Sequence, residues 1–169
     1  EGIDAPIYQT AFGVGRPESI AVSPDGEFLY IAGAEGITIC RSDEWGAYSK
    51  VGAVPVANPS MLAFSPDGKN LYAGRETVGA ISVFSRDPSS GALTLLKEVR
   101  NGLKGTRGLS GLASLAVTED YVYAVATQED SLVTFTRDQI GKLQDLWPQR
   151  LWLAEVGSGR SSSGAYQPL

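Results

Sequence analysis

The sequence predicts an all-β protein built from about three four-stranded antiparallel units, and three observations carry that reading. The turn Ser23-Pro24-Asp25-Gly26 returns as Ser65-Pro66-Asp67-Gly68, 42 residues later. The 12-residue interval from Tyr72 to Phe84 is repeated from Tyr123 to Phe135. Short apolar runs are punctuated throughout by Pro, Asp, Gly and Ser, as strands are by turns.

The clearest copy occupies residues 57–100. Met61-Leu62-Ala63-Phe64 forms a first strand, and Asn70-Leu71-Tyr72-Ala73 a second after the Pro-Asp-Gly turn. A polar break at Arg75-Glu76-Thr77 leads into Ala80-Ile81-Ser82-Val83-Phe84, then Ser85-Arg86-Asp87. The turn Pro88-Ser89-Ser90-Gly91 precedes a last strand, Leu93-Thr94-Leu95-Leu96. Asp-Gly pairs suit hairpin turns that need positive φ, so Asp25 and Asp67 read as turn residues rather than metal ligands.

Residues 16–56 hold the earlier copy, with strands at Ser19-Ile20-Ala21-Val22, Phe28 to Ala32, Ile37 to Cys40 and Tyr48 to Val51. Residues 114–146 hold a later one, in which Thr118-Glu119-Asp120 shortens the turn. Its strands begin at Ser114, Tyr121, Leu132 and Leu143. Between them, residues 101–113 read as a Gly-rich basic insertion, mobile first and a partner contact second. Residues 1–15 contain one β-like segment, Ile7 to Phe12, expected to be the outer strand of a preceding unit. Residues 147–156 are apolar and carry Trp147 and Trp152, and residues 157–169 form a Gly/Ser-rich tail.

Each unit has Ala, Val, Ile, Leu and Phe at consecutive strand positions, so both of its faces are apolar. Burying both requires a neighbouring sheet on either side, and radial stacking of blades in a β-propeller supplies it. Closed rings use roughly four to eight blades. Three are therefore expected to form an arc, completed by other chain segments or by other subunits. The opening residue Glu1, rather than Met, fits a processed or truncated product.

The run Leu62-Ala63-Phe64-Ser65-Pro66-Asp67-Gly68-Lys69-Asn70-Leu71-Tyr72, followed by Ile81-Ser82-Val83-Phe84-Ser85-Arg86-Asp87, resembles the repeat of lactonase-type seven-bladed β-propellers. That family includes 6-phosphogluconolactonase-like and carboxymuconate-cyclase-like proteins and carries YVTN-like repeats. Ser89-Ser90-Gly91-Ala92-Leu93-Thr94 is similar to its final strand. The resemblance spans residues 16–146 and rests on turns and core. It implies a sugar-lactone or carboxymuconate-like substrate, handled by polar groups such as His, Glu and Arg near the central axis.

Composition narrows the function classes. The 169 residues carry a net charge of −5, which argues against nonspecific nucleic-acid binding. No apolar run approaches the roughly 20 residues that span a bilayer. Cys40 is the one cysteine, so no internal disulfide can form, and its place at the end of an apolar strand predicts a buried, inert thiol. Repeats of this kind occur in secreted and envelope proteins as well as in soluble enzymes, and an extracellular or envelope setting is the weak preference.

In a propeller, the loops between blades and the loops joining second to third strands share one rim. Here these are 13–18, 53–59 and 99–113, with 33–36, 74–79 and 127–131. The candidate ligand-binding residues on that rim are Arg16, Glu18, Arg75, Glu76, Arg107, Glu129 and Asp130, with Glu35 and Gln128 beside them. They would suit a small anionic ligand. Trp147 and Trp152 are the candidate partner-binding residues. The chain has no histidine, which removes Ser-His-Asp and Cys-His chemistry and His-ligated metals. No catalytic residue, metal site or cofactor is assigned, although Arg75 with Glu76 is the one pair suited to acid–base work. The first functional reading is thus a non-enzymatic module making protein–protein contacts within a larger propeller or complex. The alternative is a fragment of a lactonase or cycloisomerase, and a sugar-binding propeller of short chains ranks last.

Overall fold

The computed structural model describes residues 13–137 and the backbone of 143–145. Three four-stranded antiparallel sheets stand side by side, as the repeats predict. Blade 1 is β1 (Ser19–Val22), β2 (Phe28–Gly33), β3 (Gly36–Ser42) and β4 (Tyr48–Val54), in that order. Blade 2 is β5 (Met61–Phe64), β6 (Asn70–Arg75), β7 (Ala80–Arg86) and β8 (Leu93–Arg100). Blade 3 is β9 (Leu112–Val117), β10 (Tyr121–Ala126), β11 (Ser131–Arg137) and β12 (Leu143–Asp145). The expected strand at residues 7–12, Trp147, Trp152 and the Gly/Ser-rich tail lie outside the described residues.

Each blade is a meander because each turn has its own local hydrogen bonds. In blade 1 the Ser23 hydroxyl donates to Asp25 Oδ1 (2.5 Å) and accepts from the Phe28 amide (3.0 Å). Asp25 Oδ1 also accepts from the Glu27 amide at 3.1 Å. The same three bonds recur at Ser65, Asp67, Lys69 and Asn70. Gly26 and Gly68 take the positive φ that closes these turns, 76° and 68°.

The core lies between the blades. Tyr30, Ile37, Ile39 and Phe28 of blade 1 pack against Leu71, Ala73 and Phe84 of blade 2. Tyr72, Ile81 and Val83 on the other face of blade 2 pack against Val122, Ala124, Val133 and Phe135 of blade 3. Strands β6 and β7 are therefore buried on both faces, which explains their unbroken apolar sequence. Blade 3 differs. Along β10, Val122, Ala124 and Ala126 are buried, while Tyr121 and Val125 are exposed.

One arginine ties each pair of blades. Arg86, at the end of β7, reaches back to blade 1, where Nη2 donates to Asp25 Oδ2 (2.5 Å) and Nε to the Tyr30 hydroxyl (3.2 Å). Its guanidinium also lies over the Phe28 ring, 5.2 Å from the centroid. The Tyr30 hydroxyl donates in turn to the Gly91 carbonyl (2.7 Å), back in blade 2. Arg137 repeats the arrangement one blade on. Its Nε donates to the Tyr72 hydroxyl (2.9 Å), and Nη2 stands 3.7 Å from Asp67 Oδ1. Its Nη1 donates to the carbonyls of Thr118 and Glu119, each at 2.7 Å. Asp25 and Asp67 are thus turn residues, as expected, and also the carboxylates that pair with the inter-blade arginines, Asp25 through a hydrogen bond and Asp67 through a longer ion pair.

The Arg86 side chain is only 3% exposed, whereas Asp25 is 37% exposed. Removing the arginine would leave a buried tyrosine hydroxyl with one partner fewer and a carboxylate that water can still reach. Arg86→Ala is expected to cost about 2–3 kcal/mol, below the usual figure for a wholly buried pair because of that exposure. A melting temperature lowered by roughly 5–10 °C in circular dichroism would show it.

The carboxyls add a pH dependence. Burial alone would raise Asp25, but hydrogen bonds from Ser23, Arg86 and the Glu27 amide outweigh it and hold the group below its ordinary value. Asp67 is lowered in the same way, burial being outweighed by Ser65, the Lys69 amide and Arg137. A carboxyl lowered in the folded state stabilises it fully above the unfolded value, about pH 4, and loses that contribution as pH falls through the lowered one. Thermal midpoints should therefore fall steeply below about pH 4. In Asp25→Asn the slope should be shallower.

Candidate functional site

The rim away from the arginines collects the loops that the sequence places there, and backbone hydrogen bonds stitch them in pairs. Ala34 N–H donates to the Gly15 carbonyl (2.9 Å), Asn101 N–H to Gly79 (2.8 Å) and Thr127 N–H to Gly111 (2.9 Å). Glu76 N–H donates to the Ser60 hydroxyl at 3.2 Å. All four non-glycine residues with positive φ among the described residues sit on this rim: Arg16, Asn58, Lys104 and Asp130. Such backbone persists where surrounding contacts enforce it, and it gathers at functional sites.

The Gly-rich basic segment is held rather than loosely extended. Asn101 is its pivot, with Oδ1 accepting from the Leu109 amide (3.2 Å) and Nδ2 donating to Glu129 Oε1 (2.9 Å). Within the loop, Gly102 N–H donates to the Thr106 carbonyl at 2.8 Å, and Thr106 is buried. Ser131 Oγ donates to the Gly108 carbonyl (2.6 Å) and Ser110 Oγ to Gln128 Oε1 (2.8 Å), which fastens the loop to blade 3. What remains outward is Leu103 with the cations Arg100, Lys104 and Arg107.

The candidate residues separate into two groups. Arg16, Glu18, Glu76, Arg107, Glu129 and Asp130 are exposed on the rim, where ligand could reach them. Arg16 and Glu18 form a loose pair at 3.9 Å, with the arginine 86% exposed, so each is free to turn to another partner. Arg75 is different. Its guanidinium pairs with Glu98 of β8 (2.8 Å) and is 12% exposed, while Glu98 Oε2 also accepts from Ser82 Oγ (3.2 Å). The structure brings Arg75 to Glu98 rather than to Glu76: β6 ends at Arg75, and Glu76 opens a short 3-10 turn, Glu76–Val78, on the rim. The Arg75 Nε is buried with no hydrogen-bond partner.

Sequence reasoning missed Asn101, Ser110 and Glu98, whose partners lie on other strands and leave no local signature. It also missed Arg86 and Arg137, although the repeated Ser-Arg-Asp and Thr-Arg-Asp runs are a readable signal. Cys40 is buried, as expected, and burial pushes its thiol upward, so it stays protonated. Among the described residues no three His, Cys, Asp or Glu side chains converge as metal ligands would. Nor is any helix among them long and apolar enough to cross a membrane.

The blade, its inter-blade packing and the shared rim define a β-propeller of repeated four-stranded units. The chain belongs to the family of lactonases described as "Lactonase, 7-bladed beta-propeller", whose model matches residues 7–106. It is similar to a functionally unknown protein of Desulfotomaculum acetoxidans, with 27% identity and a TM-score of 0.67 over 85% of this chain and 46% of that one. A candidate 6-phosphogluconolactonase of Bacteroides fragilis is 25% identical, with a TM-score of 0.66 over 82% of this chain and 40% of that one. The periplasmic gluconolactonase of Pseudomonas aeruginosa is 26% identical, with a TM-score of 0.63 over 77% and 39%. The chain therefore spans less than half the length of each of these structures. No curated protein matches it in sequence.

Gly79 joins the two halves of the rim. Its φ is 55°, and a Cβ there would stand 2.5 Å from the Leu109 carbonyl oxygen. Gly79→Ala is expected to cost about 1–3 kcal/mol. Amide exchange should then speed up across residues 101–111 while the strands of blade 1 keep their protection.

Proposed function

We propose that this chain contributes three blades to a lactonase-type propeller that hydrolyses a sugar lactone. Family membership over residues 7–106 carries the reading. The likeness to a periplasmic gluconolactonase and to a candidate 6-phosphogluconolactonase favours a sugar lactone over a carboxymuconate-like substrate. The comparisons favour this enzyme reading over the non-enzymatic assembly module, for which they offer no support.

Lactone hydrolysis asks for little. Water attacks the carbonyl carbon, the ring C–O bond breaks, and the product is a hydroxy acid. A base must take the water's proton, and donors or cations must face the oxyanion. Since the chain has no histidine, proton transfer on these blades falls to the exposed rim carboxylates Glu18, Glu35, Glu76 and Asp130, while Glu129 is engaged by Asn101. Arg16 and Arg107 are the cations placed to face an oxyanion or the product carboxylate. Arg75, committed to Glu98, acts on this reading as a support for the rim.

The test is ligand titration followed through backbone amide resonances, with D-gluconate and 6-phospho-D-gluconate as separate probes. Shifts confined to residues 13–18, 76–79, 101–111 and 127–130 are expected. Arg107→Ala should weaken the phosphorylated probe by about tenfold, the usual worth of one charge-assisted bond. Shifts on the opposite rim, or none at millimolar probe, would overturn the proposal.

A further inference from the structure

Asn101 is the one asparagine of the chain that a glycine follows, and its carboxamide joins the rim of blade 2 to blade 3. Oδ1 accepts from the Leu109 amide at 3.2 Å, and Nδ2 donates to Glu129 Oε1 at 2.9 Å. Its backbone N–H donates to the Gly79 carbonyl (2.8 Å). A carboxamide suits both side-chain bonds at once, because an acceptor must face the N–H and a donor must face the carboxylate. Leu109, which the first of them holds in place, is buried in the core between blades 2 and 3.

Asparagine before glycine is chemically labile. The Gly102 nitrogen can attack Asn101 Cγ, since glycine puts no side chain in the way. A C–N bond forms, the Cγ–Nδ2 bond breaks, and ammonia leaves a cyclic imide. Water then opens the imide at either carbonyl, giving aspartate, or isoaspartate with the backbone running through Cγ. No oxidant or cofactor enters. The other two asparagines are guarded. Asn58 precedes Pro59, which has no N–H to become the nucleophile. Asn70 precedes the bulkier Leu71, is 5% exposed, and donates through Nδ2 to the Phe84 carbonyl (3.3 Å). In the folded chain the Gly102 N–H is engaged by the Thr106 carbonyl (2.8 Å), so attack at Asn101 waits for the loop to open.

We propose that Asn101 is a site of deamidation, and that its conversion to an acid unfastens the Gly-rich loop from blade 3. The product has an oxygen where Nδ2 was a donor. That oxygen faces Glu129, and two carboxylates with no proton between them repel at hydrogen-bond distance. In aspartate the acceptor for the Leu109 amide is kept. Isoaspartate lengthens the backbone through Cβ and displaces that acceptor as well. The change runs one way, so the rim of an old molecule differs from that of a new one. Nothing in this chemistry depends on the chain being a lactonase.

The test ages the full chain in mildly alkaline buffer and weighs its peptides. The mass gain of a single deamidation is expected in the peptide holding Asn101, with Asn58 and Asn70 intact. Asp25-Gly26 and Asp67-Gly68 can pass through the same imide, but they gain no mass. Amide exchange on the aged chain should quicken at Gly102, Leu103, Thr106 and Leu109, whose N–H groups the loop's hydrogen bonds protect. The expected change is about tenfold, the worth of one hydrogen bond to a charged group, while blade 1 keeps its protection. Asn101→Asp should reproduce it in a fresh sample. Adding Glu129→Gln should largely restore slow exchange, because glutamine offers an N–H to the new carboxylate. Circular dichroism establishes that each variant is folded, and the aged chain gives the same readout without substitution. Conversion of Asn101 no faster than that of Asn70 overturns the proposal. So does exchange in Asn101→Asp that matches the unsubstituted chain, or that stays as fast with Glu129→Gln.

Discussion

Everything in this arc depends on a guanidinium reaching backwards. A four-stranded sheet with two apolar faces can slide and rotate on its neighbour at little cost, because hydrophobic burial is nondirectional. Arg86 and Arg137 supply direction. Each is held by its own blade through carbonyls of the first turn, and by the preceding blade through a tyrosine and an aspartate. A planar fork with five donors can meet all of these in one orientation only, which fixes register between blades as well as adhesion. Burial raises the Tyr30 phenol, so it remains a neutral hydroxyl able to accept and donate at once.

How much of this was legible beforehand follows from how local each feature is. Strands and turns were readable since Ser23-Pro24-Asp25-Gly26 and its repeat enforce their own geometry within a few residues. The alternation along β10 was not distinguished from the solid runs of β2 and β6, because Tyr and Val satisfy either environment and only the neighbour decides. The rim loops could be named from blade topology alone. Their wiring could not: Asn101 meets Glu129 across 28 residues, and Arg75 meets Glu98 on a strand two away. Adjacent residues such as Arg75 and Glu76 look like a pair in one dimension, but the strand ends between them, and Glu76 belongs to the turn that follows.

The Gly-rich segment illustrates the same limit from the other side. Its composition suggests mobility, since Gly102, Gly105, Gly108 and Gly111 all remove side-chain constraints. In the fold those glycines take positive φ, from 69° to 86°, and let a short stretch coil tightly enough to pair with itself and with both flanking blades. Composition reports the freedom of the unfolded chain; the hydrogen bonds decide what is left of it.

The arginine joints and the candidate site lie at opposite ends of the same strands. That separation lets one protein answer to two kinds of selection. Residues such as Arg16, Glu76 and Arg107 can drift toward a new substrate without disturbing Asp25, Tyr30 or Arg86. An ancestral ring could therefore have changed its chemistry many times while the spacing of its blades stayed the same. Divergence within the lineage should then be lopsided, with one lip of the ring diverse in sequence and the other nearly monotonous.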